Sequence, residues 1–236
     1  MVTSRTHSNG ALDRSHPTQS YGIAKRCLDV VVSGLGLLVL SPVLLAIGVA
    51  IRVAMGRPVL FSQLRPGLGG RPFRLYKFRT MVATTDDAGD LLPDGERITA
   101  LGAFLRRSSL DELPELWNVV RGDMSLVGPR PLLMEYLDRY NATQARRHEV
   151  RPGLTGLAQV EGRNALPWDE RFELDVTYVD SASLRLDLAI LLRTVPAALR
   201  GHGISEPGHA TARLFGDDDG AGDVAGDGAS DGVRNG

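Results

Sequence analysis

Two adjacent carboxylates, Asp111 and Glu112, are the residues in this sequence best suited to do chemistry. Ser109-x-x-Glu112 matches a capping box, and Pro114 is tolerated only in the first turn of a helix. We therefore expect both carboxylates at or beside a helix N-terminus, where an ionised group keeps a low pKa and suits a nucleophile better than a general acid. Side chains of adjacent helical residues diverge by about 100°, so the two would have different roles. The simpler interpretation, that both only cap the helix, stays open.

Rigid turns downstream carry arginines that would suit phosphate binding. Arg130 lies between two prolines in SLVGPRPLL, and Arg151 and Arg163 lie in the glycine-rich turns RPGLTG and EGRN. A guanidinium held in one place favours bidentate recognition of phosphate. Each arginine taken alone is more often structural or solvated, and the sequence leaves these two interpretations open.

A β-hairpin is predicted ahead of the acidic pair. Residues 58–65 and 72–81 are strand-like and flank PGLGGRP, where Gly67, Gly69 and Gly70 would form the turn. In the second arm Arg74, Lys77 and Arg79 alternate with aromatic residues. A solvated basic face is the simpler interpretation, and a basic surface directed at phosphates is the alternative.

Several other elements follow from local patterns. We expect a polar loop over 82–97, a helix over 98–107 that ends in Arg106 and Arg107, and a helix C-cap at Gly122. Residues 184–200 predict an amphipathic helix, broken near Pro196, that packs on the core or lies at a membrane interface. His148 stands alone in RRHEV and is interpreted as structural.

Composition excludes several classes of protein. The chain has 236 residues, of which 43% are hydrophobic, and a mean hydropathy of −0.07, which exclude a wholly disordered chain and a polytopic membrane protein. A single cysteine, Cys27, excludes a disulfide scaffold and a cysteine zinc site. The sequence motifs of P-loop NTPases, zinc metalloproteases and α/β-hydrolases are absent.

One uncharged apolar segment, residues 30–51, indicates contact with a membrane. A straight helix of that length would be about 33 Å long, enough to cross a bilayer core. Ser41-Pro42 interrupts it at mid-length, and the Ser41 hydroxyl is a candidate partner for a carbonyl that the proline leaves unpaired. Basic residues flank both ends: Lys25, Arg26, Arg52 and Arg57. Because basic flanks prefer the cytoplasmic side, a re-entrant hairpin fits better than a span, although a proline-kinked span stays open.

Five segments strongly resemble the bacterial sugar transferase family, the monotopic polyprenyl-phosphate phosphoglycosyl transferases. They are KRCLDVVVSGLGLLVLSPVLL, RPGLGGRPFRLYKFRTM, SLDELPELWNVVRGDMSLVGPRPLL, RHEVRPGLTGLAQVEGRNALPWDERFELDVTYVD and the late SEPGH. The resemblance runs from about Lys25 to about Phe215 and is strongest to the small bacillosaminyl phosphotransferase type.

Together these patterns predict a mostly helical α+β fold with a re-entrant membrane helix kinked at Ser41-Pro42, a β-hairpin and amphipathic interfacial helices. The expected organisation is a disordered leader over 1–22, the re-entrant helix over 23–56, a cytosolic catalytic domain over 57–215, and a disordered acidic tail over 216–236. The tail contains six Asp and one Arg, and the body over 23–215 has a net charge of +3. Low apolar content without periodicity supports disorder at both ends.

The resemblance implies a reaction. Family members transfer a sugar-1-phosphate from a UDP-sugar to polyprenyl (undecaprenyl) phosphate and release UMP; the expected sugar here is N,N'-diacetylbacillosamine or another N-acetylated amino sugar. The family nucleophile matches Asp111, which would form a phosphosugar–aspartyl intermediate and contact Mg²⁺. Glu112 would assist attack by the acceptor or hold the metal site.

The resemblance also assigns residues and partners. The family's active-site cations match Lys77, Arg106, Arg130 and Arg163, and its membrane-surface motif matches Lys25, Arg26 and Asp29. The enzyme would be monotopic in the inner (plasma) membrane with a cytoplasmic catalytic domain. Its partners would be membrane lipid and later glycosyltransferases of the pathway, and no nucleic acid. Two alternatives stay open: a non-enzymatic membrane-anchored adaptor of a glycan assembly complex, and a transferase acting on another lipid or nucleotide.

Overall fold

The computed structural model describes residues 19–86, 89–90, 92–162, 166–200 and 215. Its helices are α1 (Gln19–Val39), α2 (Ser41–Met55), α3 (Asp94–Arg97), α4 (Ala100–Arg107), α5 (Glu115–Arg121), α6 (Ala142–Ala145), α7 (Leu157–Glu161), α8 (Trp168–Ser181) and α9 (Leu184–Arg200). Its strands are β1 (Leu60–Pro66), β2 (Pro72–Phe78), β3 (Ser125–Val127) and β4 (Gly153–Thr155). The described part is therefore mostly helical and contains a β-hairpin, as predicted, together with a small parallel sheet that was not predicted.

The apolar segment forms two helices that meet at Ser41-Pro42. Pro42 has no N–H to give to the carbonyl of Leu38 four residues earlier, and the Ser41 hydroxyl donates to that oxygen instead at 2.7 Å. This confirms the predicted role of Ser41. No single helix in the described ranges is long and apolar enough to cross a bilayer, whereas residues 20–39 and 41–55 pass that test together as a pair bent by 61°.

The first half of α1 is attached to the folded body by buried polar contacts. The Asp29 carboxylate is 3% exposed and accepts hydrogen bonds from the Ser125 hydroxyl at 3.1 Å and the Leu126 amide at 2.9 Å. Lys25 lies 2.8 Å from the carboxylate of Asp187, which is 1% exposed. These side chains therefore anchor α1 to β3 and α9.

The end of α2 is attached to the same body. Ile51 is fully buried with Phe78 and Leu105. The Arg79 guanidinium donates to the carbonyl oxygens of Met55, Gly56 and Arg57, and these bonds satisfy acceptors that the end of a helix leaves free. Both ends of the bent pair are thus held by one folded unit.

The hairpin has the predicted position and turn. Its strands pair antiparallel with Arg65 opposite Phe73, Gln63 opposite Leu75 and Phe61 opposite Lys77. Gly69 and Gly70 have φ of 64° and 73°, a region that disfavours other residues. Since side chains alternate between faces of a strand, these six residues share one face. Leu75 on this face is buried in the body, whereas Phe61 at its far end is exposed.

The main core lies between the hairpin, α5, the small parallel sheet and the last two helices. It contains Leu75, Leu116, Val119, Met124, Leu126, Val127, Tyr178 and Ile190. β3 and β4 pair in parallel, and a Cβ atom on Gly153 would lie 2.1 Å from the nitrogen of Gly128. This close approach fixes the chain just before the turn that carries Arg130.

Some predicted boundaries differ from the structure. The helix predicted over 98–107 is confirmed as α4, and Gly122 ends α5 with φ of 93° and hydrogen bonds to Asn118 and Val119. The break predicted near Pro196 is wrong: α9 continues through it to Arg200, and packing of α9 on the core through Ile190 opposes the local cost of the proline. The end of the predicted polar loop forms the short helix α3.

The two predicted terminal segments are described only at their edges. α1 begins at Gln19, inside the segment expected to be a leader, and residues 1–18 and the tail over 216–236 lie outside the described residues. Phe215 packs on the body. Its ring contacts those of Tyr136, Tyr140, Trp168 and Phe172 at centroid distances of 5.0–6.1 Å.

Helix α9 is amphipathic, as expected. Leu184, Leu188, Leu192 and Val195 are exposed at helical spacing, whereas Asp187 and Ile190 are buried on the opposite face. The helix therefore packs on the core and also presents an apolar stripe.

Candidate active site

Asp111 and Glu112 lie in a 3₁₀ turn, Leu110–Glu112, that joins α4 to α5. The predicted capping box is wrong. Ser109 adopts the left-handed conformation with φ of 56° and makes no side-chain cap, since a capping residue needs an extended backbone. α5 begins only at Glu115, after Pro114. The acidic pair therefore precedes the helix and does not cap it.

Glu112 is bound by two cations from distant parts of the chain. Its Oε1 atom accepts from Lys77 Nζ at 2.7 Å and from Arg130 at 2.6 Å. Burial would raise the pKa of Glu112, but Arg130 and Lys77 outweigh it and hold that pKa well below its usual range. Glu112 is thus a permanently charged anchor for both cations.

Asp111 has the opposite electrostatics. It is 8% exposed, and no residue in the described ranges donates a hydrogen bond to its carboxylate. Burial and the charge of Glu112 raise the pKa of Asp111 to about 6, against the opposing charges of Lys77, Arg130 and Arg106. The expectation of a low pKa for both carboxylates is therefore wrong for Asp111. A carboxylate that no described residue holds is available to act as a nucleophile.

Glu115 is a third carboxylate that the sequence reasoning missed. It is 2% exposed, and its Oε1 lies 3.1 Å from Lys77 Nζ. Burial, opposed by Lys77, raises the pKa of Glu115 to about 7. The available signal was its spacing of three residues from Glu112, which places two side chains on one helical face.

The second arm of the hairpin contributes Lys77 to the site but not Arg74 or Arg79. Arg74 lies on the outer face, where it donates to the Ser62 hydroxyl at 3.2 Å, and Arg79 binds the end of α2. The Asn118 amide holds β2 against α5 by accepting from the Tyr76 amide at 3.2 Å and donating to the Arg74 carbonyl at 2.8 Å. Asn118 was also missed, and it sets the position of Lys77 opposite the carboxylates.

Arg130 is placed by a buried network behind it. Arg147 is 3% exposed and donates to the Arg130 carbonyl at 2.9 Å, to the Asp175 carboxylate at 2.6 and 3.1 Å, and to the Tyr140 hydroxyl at 3.0 Å. No sequence pattern pointed to Arg147 or Asp175. The rigid turn predicted around Arg130 therefore owes its position to side chains from later in the chain.

Of the remaining predicted cations, only some lie at the site. Arg106 donates to the Thr80 hydroxyl at 3.0 Å, and its charge lowers the pKa of Asp111, so it belongs to the site. Arg151 does not: it binds the Gly122 carbonyl at 3.0 Å, at the end of α5. Arg163 lies outside the described residues. Burial and the charge of Arg147 lower the pKa of His148 to about 4, which supports a neutral structural histidine.

The donor set suits a magnesium ion shared with a substrate. No cluster of three or more His, Cys, Asp or Glu side chains that would hold a metal occurs in the described part of the chain. Glu112 is occupied by cations, which leaves the unpaired carboxylate of Asp111. Mg²⁺ is commonly bound by one or two carboxylates together with substrate phosphates. Asp111 fits that pattern.

Comparisons with known proteins identify the family of this chain. The family model described as bacterial sugar transferase matches residues 20–201. The uncharacterized sugar transferase EpsL of Bacillus subtilis is 52% identical over 202 residues, covering 86% of this chain and 98% of the relative. The UDP-glucose:undecaprenyl-phosphate glucose-1-phosphate transferase of Caulobacter vibrioides is 44% identical over 193 residues, covering 78% of this chain and 72% of the relative.

A third relative acts on a different sugar. The UDP-N-acetylgalactosamine-undecaprenyl-phosphate N-acetylgalactosaminephosphotransferase of Aeromonas hydrophila is 37% identical over 195 residues, covering 79% of this chain and 46% of the relative. The family match covers the bent helix pair, the hairpin and the acidic turn. On these findings the chain belongs to the bacterial sugar transferase family and is a phosphoglycosyl transferase.

Proposed function

We propose that this protein transfers a sugar-1-phosphate from a UDP-sugar to polyprenyl (undecaprenyl) phosphate, with Asp111 as the nucleophile. The observation that carries the proposal is the pairing of two unlike carboxylates. Asp111 is buried and accepts no hydrogen bond from the residues that the structure describes, while Glu112 beside it binds Lys77 and Arg130. Relatives named for transfer from UDP-sugars to undecaprenyl phosphate support the choice of substrates.

The chemistry proceeds in two displacements at one phosphorus atom. An Asp111 oxygen attacks the sugar-bearing phosphorus of the UDP-sugar, the bond to the UMP oxygen breaks, and UMP leaves with the electron pair. An oxygen of polyprenyl phosphate then attacks the same phosphorus and releases the Asp111 carboxylate. Both steps concentrate negative charge on phosphate oxygens, which Lys77, Arg106 and Arg130 surround and stabilise.

Glu112 acts through the cations that it holds. Its low pKa makes it a poor proton acceptor, and its bonds to Lys77 and Arg130 fix their positions near Asp111. A magnesium ion held by Asp111 together with the substrate phosphates would supply further neutralisation of charge. This assignment favours the positioning role of Glu112 over direct assistance to the acceptor.

We also propose that α1 and α2 form a re-entrant hairpin in the inner membrane. Lys25 and Asp29 of α1, and Met55 and Gly56 after the kink, all bind the same folded body. A body of this size lies on one side of a bilayer, so both helix ends lie on that side. The basic flanks of the bent pair favour the cytoplasmic side for this body. The exposed apolar stripe of α9 would lie in the interface, where a lipid acceptor meets a soluble donor.

The adaptor alternative requires the acidic pair to do no more than cap a helix. The structure does not favour it, because Glu112 binds two cations and α5 begins three residues later. For the donor, the resemblance favours N,N'-diacetylbacillosamine or another N-acetylated amino sugar, whereas the named relatives use glucose or N-acetylgalactosamine. The product would begin glycoconjugate assembly and pass to later glycosyltransferases.

A donor panel tests the proposal. The purified full-length chain, in detergent with undecaprenyl phosphate and Mg²⁺, is supplied separately with UDP-linked glucose, galactose, N-acetylglucosamine, N-acetylgalactosamine and N,N'-diacetylbacillosamine. We expect UMP release and formation of a lipid-linked diphosphosugar with at least one donor, and loss of both after EDTA treatment. Absence of UMP release with every donor would contradict the proposal.

The matched control is Asp111→Asn. Asparagine keeps the shape of the side chain but is a far weaker nucleophile, so turnover should be abolished while the melting temperature is preserved. Without acceptor, the wild-type protein should release up to one UMP per chain and gain the mass of one phosphosugar. Wild-type activity in Asp111→Asn would remove Asp111 as the nucleophile.

A further inference from the structure

Arg65 lies on the same inward face of the hairpin as Lys77, but nearer the turn. Arg65 of β1 pairs with Phe73 of β2, and Lys77 lies four residues after Phe73 on β2. At about 3.4 Å per residue the two positions are separated by about 14 Å along the sheet. The charge of Arg130 acts on both side chains. A second cation therefore lies on the same face of the hairpin as Lys77, nearer the turn.

The guanidinium of Arg65 is only partly satisfied by the protein. It donates to the Gln63 side-chain oxygen at 2.7 Å, and its Nε is buried with no hydrogen-bond partner in the described part of the chain. No carboxylate in those ranges lies within 4.0 Å of it. Burial and the nearby charge of Arg130 lower the pKa of Arg65 to about 10, so the positive charge is retained at neutral pH but is held at a cost.

A purely structural role explains this arrangement poorly. Glu115 and Glu135 attract Arg65 electrostatically, but Glu115 is in contact with Lys77, and Glu135 is exposed. A partly buried cation without an ion-pair partner destabilises a fold, and a second cation nearby adds to that cost. An anionic ligand would balance the charge of Arg65 and relieve the repulsion from Arg130.

We infer that Arg65 binds a substrate phosphate other than the one being transferred. This inference rests on the proposed function and extends its binding site toward the hairpin turn. A guanidinium presents several N–H donors in one plane and therefore suits the two-pronged recognition of phosphate. Two substrates offer such a group: the UMP part of the sugar donor and the phosphate of the polyprenyl acceptor. The shared chemistry is a phosphate monoester or diester oxygen, and kinetics separate the two sources.

The test compares Arg65→Met, Arg65→Lys and the control Arg74→Met. Methionine keeps the apolar stem without the charge, and lysine keeps the charge without the fork. Arg74 is an exposed arginine of the same hairpin on the opposite face. Initial rates are measured with the donor varied at saturating undecaprenyl phosphate and then with the acceptor varied at saturating donor. Binding of UMP and of a short-chain polyprenyl phosphate is measured by calorimetry.

Arg65→Met should raise the KM for one substrate at least tenfold and change the KM for the other less than threefold. A raised donor KM together with weaker UMP binding assigns Arg65 to the nucleotide phosphate. A raised acceptor KM together with weaker binding of the polyprenyl phosphate assigns it to the lipid. Arg74→Met should change neither KM.

Unchanged values of both KM and both dissociation constants in a folded Arg65→Met protein would overturn the inference. If Arg65→Met does not fold, Arg65→Lys decides: a raised KM for one substrate supports a phosphate contact, and wild-type constants contradict it. A wild-type protein that binds UMP but transfers nothing would contradict the proposed function, while the binding measurements would still decide the role of Arg65.

Discussion

Replacing Arg147 with methionine should weaken both the fold and the transfer reaction, because one buried guanidinium serves both. It neutralises Asp175, which is 4% exposed, and donates to the carbonyl oxygen of Arg130 at 2.9 Å. The change leaves a buried carboxylate without its partner and the Arg130 turn without its donor.

The magnitude follows from the burial of the pair. Removing one partner of a buried ion pair costs about 3–5 kcal/mol. At roughly 2–4 °C per kcal/mol for a chain of this size, the melting temperature should fall by about 6–20 °C. The double variant Arg147→Met, Asp175→Leu removes both charges and should recover at least about 2 kcal/mol, since apolar replacement of a complete pair is often neutral.

Transfer activity should not recover with stability. Neither variant restores a donor to the Arg130 carbonyl, so the Arg130 guanidinium loses its fixed position against Glu112 in both. We expect kcat/KM to fall at least tenfold in the single and the double variant, about 1.4 kcal/mol of transition-state stabilisation. A merely structural role predicts that activity returns together with the melting temperature.

The pH dependence gives a second check. Burial raises the pKa of Asp175 even against the charge of Arg147, and removal of that charge raises it further. A carboxyl whose folded-state pKa exceeds its unfolded value takes up a proton on folding, so lower pH favours the folded variant. The melting-temperature deficit of Arg147→Met should therefore be smaller at pH 5 than at pH 8. A deficit below about 2 °C at pH 8 would refute the reasoning.

Three further predictions address the site and the topology. Removing the positive charge at any one of four cations should lower kcat/KM more than tenfold. The four are Lys77, Arg106, Arg130 and Arg163. If charge removal at two or more of them leaves kcat/KM unchanged, the cluster does not surround the diphosphate. Without acceptor, the rate of UMP release should decrease at pH values below about 6, where Asp111 takes up a proton. Glu112→Gln removes a neighbouring negative charge, so this decrease should occur at a lower pH in the variant. An upward shift would contradict the assignment of Asp111 as the nucleophile. Cysteines placed in both flanks of the bent pair, in a Cys27-free background, should both resist an impermeant thiol reagent in spheroplasts. Ser41→Ala combined with Pro42→Leu should give a mixed orientation of the segment in the membrane. If the reagent labels exactly one flank of the bent pair with Ser41 and Pro42 in place, the segment spans the membrane and is not re-entrant.

Features governed by neighbours within a few residues could be predicted from the sequence. The hairpin turn needs glycine where φ is positive, the Ser41 hydroxyl replaces the missing Pro42 amide one turn away, and Gly122 ends α5. The acidic pair and the Pro-Arg-Pro turn were visible in the same way, as short motifs. Their resemblance to the bacterial sugar transferase family is confirmed by the family match.

The different roles of Asp111 and Glu112 depend on contacts between residues that are far apart in the sequence. Glu112 binds Lys77 from 35 residues earlier and Arg130 from 18 residues later, and these charges outweigh its burial. Asp111, its immediate neighbour in the chain, makes no such bond and keeps a raised pKa. The sequence by itself determined that two carboxylates stand side by side. Only the tertiary structure decided which of them is neutralised by cations and which is left free to react, because a pKa depends on solvent and charge in space and not on position along the chain.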